Sequence, residues 1–477
     1  MDKKHIGLLA GPLIFLLCSL FFQPAGLSHS AVVVLAGALW IAIWWVTEVL
    51  PPAATALLPI ILFPLFAELS ISEVTAPYAH KFIYLFLGGF ILAGAMEKWN
   101  LHERIALHII KAVGSNRHQI ILGFMLATAF LSMWISNTAT AVMMMPIASA
   151  VIKGQAEDKE GSRLFGKALM LGIAYSSSIG GMATLIGTPP NLIFAGVVAE
   201  VFGVEITFLD WMKIGLPISV ILLFSTWYYL TRIAFKYEVN VVGSSKELIA
   251  DRLHKMGRLG AQEKRVLLVF VLTALAWICR SFIQKAGLSG LDDSIIAVVA
   301  GLALFTIPAG ENSANEERIY TWKDTVHLPW GILLLFGGGM ALAAAFESTG
   351  LALWIGELLT EVEFGSVFLL LLILVAGVNF LTEITSNMAT TAMLLPILPA
   401  LALAAGVHPY LFMVSATFAA SCAFMLPVAT PPNAIVYGTG FVEMNDMVKS
   451  GIWLNLFSIV VITLLCYFGL PLLWNLN

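Results

Sequence analysis

Two short polar segments recur in this chain, and their side chains are of the kinds that bind small ions. The first is Ser136-Asn137-Thr138-Ala139-Thr140, and the second is Ser386-Asn387-Met388-Ala389-Thr390, 250 positions later. Each lies inside an apolar stretch and leads into a Met- and Leu-rich segment with a proline, Pro146 or Pro396. Because hydrocarbon offers no partner for a free backbone N–H or C=O, a break there must be enclosed by protein or line a cavity. Two matched breaks indicate one site with two halves.

A second motif is also duplicated. Gly187-Thr188-Pro189-Pro190-Asn191 recurs as Ala429-Thr430-Pro431-Pro432-Asn433. Since proline interrupts a helix and is favoured at the first helical position, Pro190 and Pro432 are predicted to begin new half-helices in mid-membrane. Ser, Asn and Thr are also preferred helix caps, so capping is an alternative explanation of the Ser-Asn segments. The duplicated Thr-Pro-Pro-Asn favours ion binding.

The ends of a broken helix carry partial charges of both signs. The carbonyls at the end of an incoming half-helix suit a small cation, and the N–H groups at the start of the outgoing one suit an anion. A hydroxyl also lies four residues before each Ser, on the same helical face. Two repeat-related sodium sites are therefore predicted: Ser132, Ser136, Asn137 and the Gly187 carbonyl in the first, and Thr382, Thr385, Asn387 and the Ala429 carbonyl in the second. No basic residue lies at either tip, so the bound anion must be balanced by dipoles, hydroxyls and the cations.

The remaining chain has the composition of a polytopic membrane protein. Of its 477 residues 59% are apolar and 11% charged, and many apolar runs are 18 residues or longer. We predict an all-α fold with about eleven spans, at 6–23, 31–49, 52–67, 82–100, 168–201, 212–235, 264–284, 292–309, 329–352, 409–440 and 451–474. The stretches 119–152 and 366–404 have arms of about 16 residues, roughly 24 Å, which is short of a roughly 30 Å membrane core. They are predicted to be re-entrant hairpins, with two full crossings each as the alternative.

The two halves of the chain match in register. Phe86, Gly88, Gly89, Ala93, Ala95, Glu97 and Leu101 find the same residue types 250 positions later. The predicted division is an N-terminal span at 1–30, a first repeat at 31–235 with an inward hairpin at 119–152, a cytoplasmic connector at 236–263, and a second repeat at 264–477 with an outward hairpin at 366–404. An odd number of crossings per repeat predicts inverted topology. Lys and Arg collect on one side, which predicts a cytoplasmic N-terminus and an external C-terminus.

With these motifs in place, the chain resembles the divalent anion/sodium symporter family from Trp44-Trp45-Val46-Thr47-Glu48 to Pro432-Asn433. The resemblance implies a dimerising scaffold domain, a transport domain that moves as an elevator, and two sodium sites, made by the eight residues above, beside a dicarboxylate. It implies substrate contacts from Asn137, Thr138, Thr188, Ser386, Asn387, Thr430 and Pro431. Met388 occupies the position where the family pattern has a second Thr, so the substrate shell at Met388 departs from the family.

The expected function is sodium-coupled symport of a C4-dicarboxylate such as succinate, malate or fumarate. Sulfate or a tricarboxylate such as citrate is the alternative substrate. Anion exchange is a less favoured mechanism, because exchange without sodium calls for a fixed positive charge at a tip. Ion channels repeat their motifs around a pore, and a hydrolase would need a base near Ser136, where the sequence offers no His or Lys. We therefore do not expect an enzyme, an organic cofactor or a nucleic-acid partner. The expected partners are sodium, the dicarboxylate, the bilayer and a second copy of the chain.

Ionisable residues elsewhere in apolar segments receive structural interpretations. Glu97 and Glu347 match across the repeat, which favours an interface role. Glu383 adjoins Thr382 but points about 100° away from it on a helix, so a proton-relay role is disfavoured. His408 precedes Pro409 and is predicted to cap or lie in a loop.

Overall fold

The computed structural model describes residues 3–114, 116–154, 159–237, 243–310, 318–360 and 365–475, and within them it forms helices and no strands. The helices before the connector are Lys3–Phe21, His29–Thr47, Pro52–Thr55, Leu58–Phe66, Ile71–Thr75, Lys81–Lys98, Leu101–Val113, Arg117–Ser132, Asn137–Lys153, Lys159–Gly181, Pro189–Phe202 and Phe208–Tyr229. Gly243–Met256 is the connector helix. It is followed by Ala261–Ile278, Arg280–Lys285, Asp293–Thr306, Trp330–Ser348, Leu351–Thr360, Val367–Leu381, Asn387–Leu394, Leu398–Ala404, Pro409–Ala420, Pro431–Gly438, Met444–Leu464 and Leu470–Trp474. Short 3-10 turns cover Ala76–Ala79 and Trp322–His327, and wider π turns cover Leu230–Ala234 and Leu465–Gly469.

Long apolar helices confirm the all-α polytopic class. In the described residues six are long and apolar enough to cross a membrane: Lys3–Phe21, His29–Thr47, Ile71–Lys98, Phe208–Ala234, Trp330–Ser348 and Met444–Trp474. A bent pair, Asn387–Leu394 with Leu398–Ala404, would make a seventh. The expected number of eleven is not confirmed. Several predicted spans are shorter apolar helices instead, since prolines break the chain within them, as at Pro189 and Pro431.

The order of helices recurs after the connector, as the sequence repeat predicts. Trp330–Ser348 corresponds to Lys81–Lys98, and each is followed by a shorter helix, a broken hairpin and a second broken segment. The opposite membrane orientation of the two copies and the exact domain limits stay predictions.

Matched glycines explain how the copies pack. An added Cβ on Gly88 would lie 2.3 Å from the Ala297 carbonyl oxygen, and one on Gly338 would lie 2.5 Å from that of Ala56. The first-repeat helix at Gly88 thus contacts the second half of the chain, and its counterpart at Gly338 contacts the first half. Small residues permit such close backbone approach in membranes.

The hairpins form close to the predicted limits. The first comprises Arg117–Ser132 and Asn137–Lys153, and both arms pack against Lys159–Gly181. The second begins at Val367 and ends at Ala404. Pro146 lies inside a continuous helix, whereas the chain bends by 50° at the break that contains Pro396.

The predicted connector contains a helix. Its helix Gly243–Met256 packs against Leu101–Val113. Arg104 is buried, donates to both Glu263 carboxylate oxygens at 2.7 and 3.1 Å, and donates to the carbonyls of Gly257 and Met256. Ile249, Leu253 and Met256 recur at i, i+4 and i+7, an apolar stripe that is obscured by the surrounding basic residues.

Candidate functional site

The first hairpin tip is formed by a helix end, a short turn and a capped helix start. Ser136 is the cap, and its Oγ accepts the N–H of Ala139 at 3.2 Å. Ser132, one turn before the tip, is buried, and its Oγ lies 2.6 Å from Asn137 Oδ1 and 2.7 Å from the Ser177 carbonyl oxygen. One hydroxyl has one hydrogen to donate, so three oxygens meet here with a single proton between them. Such a group of neutral oxygens can coordinate a hard cation.

Two glycines bring backbone oxygens to the same place. A Cβ on Gly187 would lie 2.5 Å from the Gly181 carbonyl oxygen and 3.0 Å from that of Ser132. A Cβ on Gly181 would lie 2.6 Å from Asn137 Oδ1 and 3.1 Å from the Gly187 carbonyl oxygen. The structure therefore brings together Ser132, Asn137 and Gly187 of the predicted first set. Ser136 lies at the tip with its hydroxyl used as a cap, so the capping explanation holds for Ser136 without excluding the site.

The second tip repeats this geometry. Ser386 caps its helix through Ala389, and Thr382 Oγ1 lies 2.8 Å from Asn387 Oδ1 and 2.9 Å from the Ala420 carbonyl oxygen. Thr382 and Asn387 thus form the counterpart of Ser132 and Asn137. The Thr385 hydroxyl lies 2.9 Å from the Leu381 carbonyl and 2.5 Å from the Thr390 hydroxyl, so it is engaged within the hairpin. Ala429 is buried in the turn before Thr430.

An asparagine fixes each break that faces a tip. Asn191 Nδ2 donates to the carbonyls of Gly181 and Thr184 at 3.1 and 2.7 Å. Asn433 Nδ2 donates to those of Ala423 and Leu426 at 3.1 and 3.0 Å. Both side chains are buried and tie the interrupted turn to the next half-helix. The duplicated Pro-Pro-Asn motif contained this signal, although the sequence argument used only its prolines.

The predicted substrate residues lie at four helix starts. The half-helices begin at Pro189 and Pro431, one residue earlier than predicted, after Thr188 and Thr430. Pro431–Gly438 packs against Asn137–Lys153, and Pro189–Phe202 packs against Asn387–Leu394. The half-helix of each repeat therefore adjoins the hairpin of the other. Each of the four starts is the positive end of a helix dipole, which suits an anion.

Individual substrate residues differ in exposure. Thr138 and Pro431 are exposed, Asn137, Ser386, Asn387 and Met388 are half-buried, and Thr188 and Thr430 are buried. The Thr430 hydroxyl accepts the N–H of Asn433 at 3.3 Å, whereas that of Thr188 makes no cap bond. The Met388 side chain packs against the hydrophobic core.

Glu383 is the residue that the sequence argument missed. It is buried, and its carboxylate accepts the N–H groups of Phe424, Met425 and Leu426 at 2.7 to 3.0 Å and the Asn455 amide at 2.7 Å. The Glu383 carboxyl group therefore links the second hairpin to the loop of the second break. The first repeat has Met133 in this position, and its carbonyl accepts the Thr184 hydroxyl at 2.5 Å. The sequence argument placed Glu383 about 100° away from Thr382 and did not consider the loop of Phe424 to Leu426.

Other ionisable residues have structural contacts. His408 caps Pro409–Ala420 through the N–H of Tyr410 at 3.3 Å, which confirms the cap prediction. Glu97 and Glu347 are both exposed, and their interface role stays a prediction.

Comparisons with known proteins show the family of the chain. Residues 2–475 match the family described as the sodium:sulfate symporter transmembrane region, which confirms the resemblance to divalent anion/sodium symporters. The chain is 49% identical over 474 residues to the sodium-dependent dicarboxylate transporter SdcS of Staphylococcus saprophyticus, covering 98% of this chain and 91% of that protein. It is 46% identical over 480 residues to SdcS of Staphylococcus aureus strain USA300, and the match covers 99% of this chain and 92% of that protein.

Two solved structures share the fold at low identity. The first is Neisseria gonorrhoeae MtrF, with a TM-score of 0.56 and 15% identity, covering 83% of this chain and 82% of that one. The second is the Alcanivorax borkumensis YdaH transporter, with a TM-score of 0.55 and 14% identity, covering 81% of this chain and 88% of that one. At this identity the likeness concerns the fold alone.

Proposed function

Because the chain belongs to the sodium:sulfate symporter family, we propose that it is a transporter, not an enzyme, and couples the entry of sodium to that of a C4-dicarboxylate such as succinate, malate or fumarate. The observation that carries the proposal is the pair of oxygen clusters, Ser132 with Asn137 and Thr382 with Asn387, each beside a helix start. The names of the two SdcS relatives, sodium-dependent dicarboxylate transporters, support both sodium and a dicarboxylate.

The sodium sites of this proposal are those of the sequence argument. Ser132, Ser136, Asn137 and the Gly187 carbonyl form the first, and Thr382, Thr385, Asn387 and the Ala429 carbonyl form the second. The dicarboxylate lies between them, in contact with Asn137, Thr138, Thr188, Ser386, Asn387, Met388, Thr430 and Pro431. Helix dipoles alone are weak compensation for two carboxylates, so bound sodium supplies the remaining positive charge. No organic cofactor takes part.

Sulfate is the second candidate substrate, and the family description favours it. A thermal-shift series with succinate, malate, fumarate, citrate and sulfate, each with and without sodium, separates these ligands. A sodium-dependent shift with sulfate and none with dicarboxylates would replace the first candidate with the second.

The larger arrangement follows the family resemblance. The chain forms a homodimer through its scaffold helices, the transport domain with both hairpins moves as an elevator, the N-terminus is cytoplasmic, and the C-terminus is external. Crosslinks between the hairpin tips of two protomers would contradict the dimer arrangement.

Uptake into proteoliposomes tests the coupling. Dicarboxylate uptake is expected to require external sodium with a Hill coefficient above one, because two cation sites flank a doubly charged anion, and lithium is expected to substitute poorly. Replacing sodium with choline should abolish uptake. Uptake that continues at the same rate in choline would exclude symport and leave exchange as the alternative.

A further inference from the structure

A groove of about 1130 Å³ lies far along the chain from the tip motifs. Its walls are helix Phe208–Tyr229 with its π turn Leu230–Ala234 on one side and helix Met444–Leu464 on the other. Sites for small solutes are typically roughly 300–1,000 Å³, so the groove suits a larger ligand. None of its lining residues belongs to the proposed sodium or substrate sites.

The groove has the depth of one membrane leaflet. Ile233 and Lys449 line one end, and Phe224 and Val460 line the other. From Lys449 to Val460 the helix rises about 17 Å at 1.5 Å per residue, close to half of a roughly 30 Å hydrocarbon core. Both helices are long and apolar enough to span the membrane, so the groove opens to lipid.

The side chains change from apolar to basic toward the mouth. Phe224, Trp453 and Val460 are exposed apolar residues along the groove, and Tyr228 adds an aromatic ring of the kind found at headgroup level. The π turn places Ile233 and Ala234 in the wall, and such turns are frequent at functional sites.

Charge at the mouth is positive. Lys449 lines the groove, is exposed, and has no ion-pair partner in the described part of the chain. Asp446 also lines it, but its carboxylate is paired with Lys167 at 2.6 Å. Arg232 and Lys236 flank the lining residues 233–235 and are exposed. Basic pockets between membrane helices are typical of sites for anionic lipid headgroups.

We propose that this groove binds one anionic phospholipid of the leaflet on the connector side, which is the cytoplasmic leaflet in the proposed orientation. The headgroup phosphate lies at Lys449, and an acyl chain lies between Trp453 and Phe224. The proposal depends on the membrane location of the two helices and not on the transported substrate.

Native mass spectrometry of the full chain tests the proposal. Protein is extracted from vesicles of phosphatidylcholine with phosphatidylglycerol, and the retained phosphatidylglycerol per chain is measured. The wild type should retain one molecule, and Lys449→Gln should lower its occupancy about fivefold, the factor expected for one lysine near an anionic surface. Lys285→Gln, which removes an exposed lysine on the helix Arg280–Lys285, should leave it unchanged.

Variants of the apolar wall complete the test. Ser225→Phe fills the groove and Leu456→Gln makes its exposed wall polar, and both keep Lys449, so both should reduce retention. Equal retention of phosphatidylcholine and phosphatidylglycerol by the wild type, or equal effects of Lys449→Gln and Lys285→Gln, would overturn the proposal. Full retention in both wall variants would overturn it as well. Because no sodium or substrate is present, these outcomes are independent of the symport experiment.

Discussion

Gly181 leaves the space that the first proposed sodium site needs. A methyl group there would lie 2.6 Å from Asn137 Oδ1 and 3.1 Å from the Gly187 carbonyl oxygen. Gly181→Ala should therefore displace two ligands and raise the sodium concentration for half-maximal uptake at least about tenfold, equivalent to about 1.4 kcal/mol. Gly377→Ala is the matched control, since a Cβ added there meets no atom within 4 Å. Similar shifts in both variants would contradict the location of this site.

Met388 tests the substrate shell. Its repeat counterpart is Thr138, and a thioether is a poorer hydrogen-bonding group than a hydroxyl. Met388→Thr should restore a hydrogen bond worth about 0.5–1.5 kcal/mol and tighten C4-dicarboxylate binding by up to about tenfold. Isothermal titration at saturating sodium measures this, with Met393→Thr, on the same helix, as the control that should not tighten binding. Unchanged or weaker affinity in Met388→Thr would identify Met388 as a packing residue only.

Spacing alone predicted the residues that meet within one hairpin. Ser132 and Asn137 lie five positions apart across one turn, so local geometry is enough to join them. Glu383 was missed because its partners, Phe424 to Leu426, lie about 40 positions away and offer backbone N–H groups, which no side-chain pattern reveals.

At the scale of the element, Glu383 makes the two breaks unequal. Its carboxylate accepts three backbone N–H groups and the Asn455 amide, and the NH2 group of a glutamine cannot accept the Leu426 N–H that the second oxygen accepts. Hydrogen bonds to a charged group contribute about 1.5–3 kcal/mol each, so Glu383→Gln should loosen the loop that carries Ala429. We expect weaker sodium activation and a Hill coefficient that falls toward one.

Sodium-activation curves of Glu383→Gln measure this effect, and Glu347→Gln, an exposed carboxylate in the same repeat, is the control. An unchanged Hill coefficient in Glu383→Gln would show that the loop does not support the second site.

The proline positions predicted where a helix could break, but not whether it stays continuous or bends there. Pro146 and Pro396 match in the sequence, yet Pro146 lies within one continuous helix, whereas the helix is interrupted around Pro396, which Pro399 follows closely. A second proline removes another backbone donor, so that segment cannot remain one helix. The connector helix was also unexpected, because its basic residues obscure a stripe of only three apolar positions.

At the scale of the whole molecule, the ion pair and hydrogen bonds of Arg104 link the first repeat to the connector. The Arg104 side chain and that of Glu263 are only 10% and 11% exposed. Arg104→Ala should destabilise the protein by about 3–5 kcal/mol, because it leaves a buried carboxylate without its partner. Arg252→Ala removes a more exposed pair with Glu103, between Gly243–Met256 and Leu101–Val113, and should cost less than about 1 kcal/mol.

Thermal unfolding in detergent compares the two arginine variants. Equal losses of stability would mean that burial of the Arg104 pair has no special importance.

The repeat itself was predictable from the sequence, since whole motifs recur in register. The packing of each repeat's half-helix against the hairpin of the other repeat was not predictable, because nothing in either copy alone specifies this exchange of partners. That choice depends on tertiary packing between the two halves of the chain.

This exchange also has a consequence for synthesis on the ribosome. The hairpin helix Asn137–Lys153 is made early, but its neighbour Pro431–Gly438 emerges only when translation is almost complete. The first half alone lacks the half-helix that adjoins its hairpin, so the proposed first site stays incomplete until the second half is made. A truncated chain that ends before Pro431 is therefore expected to be inactive, and transport is expected only after the last tenth of the polypeptide has been made.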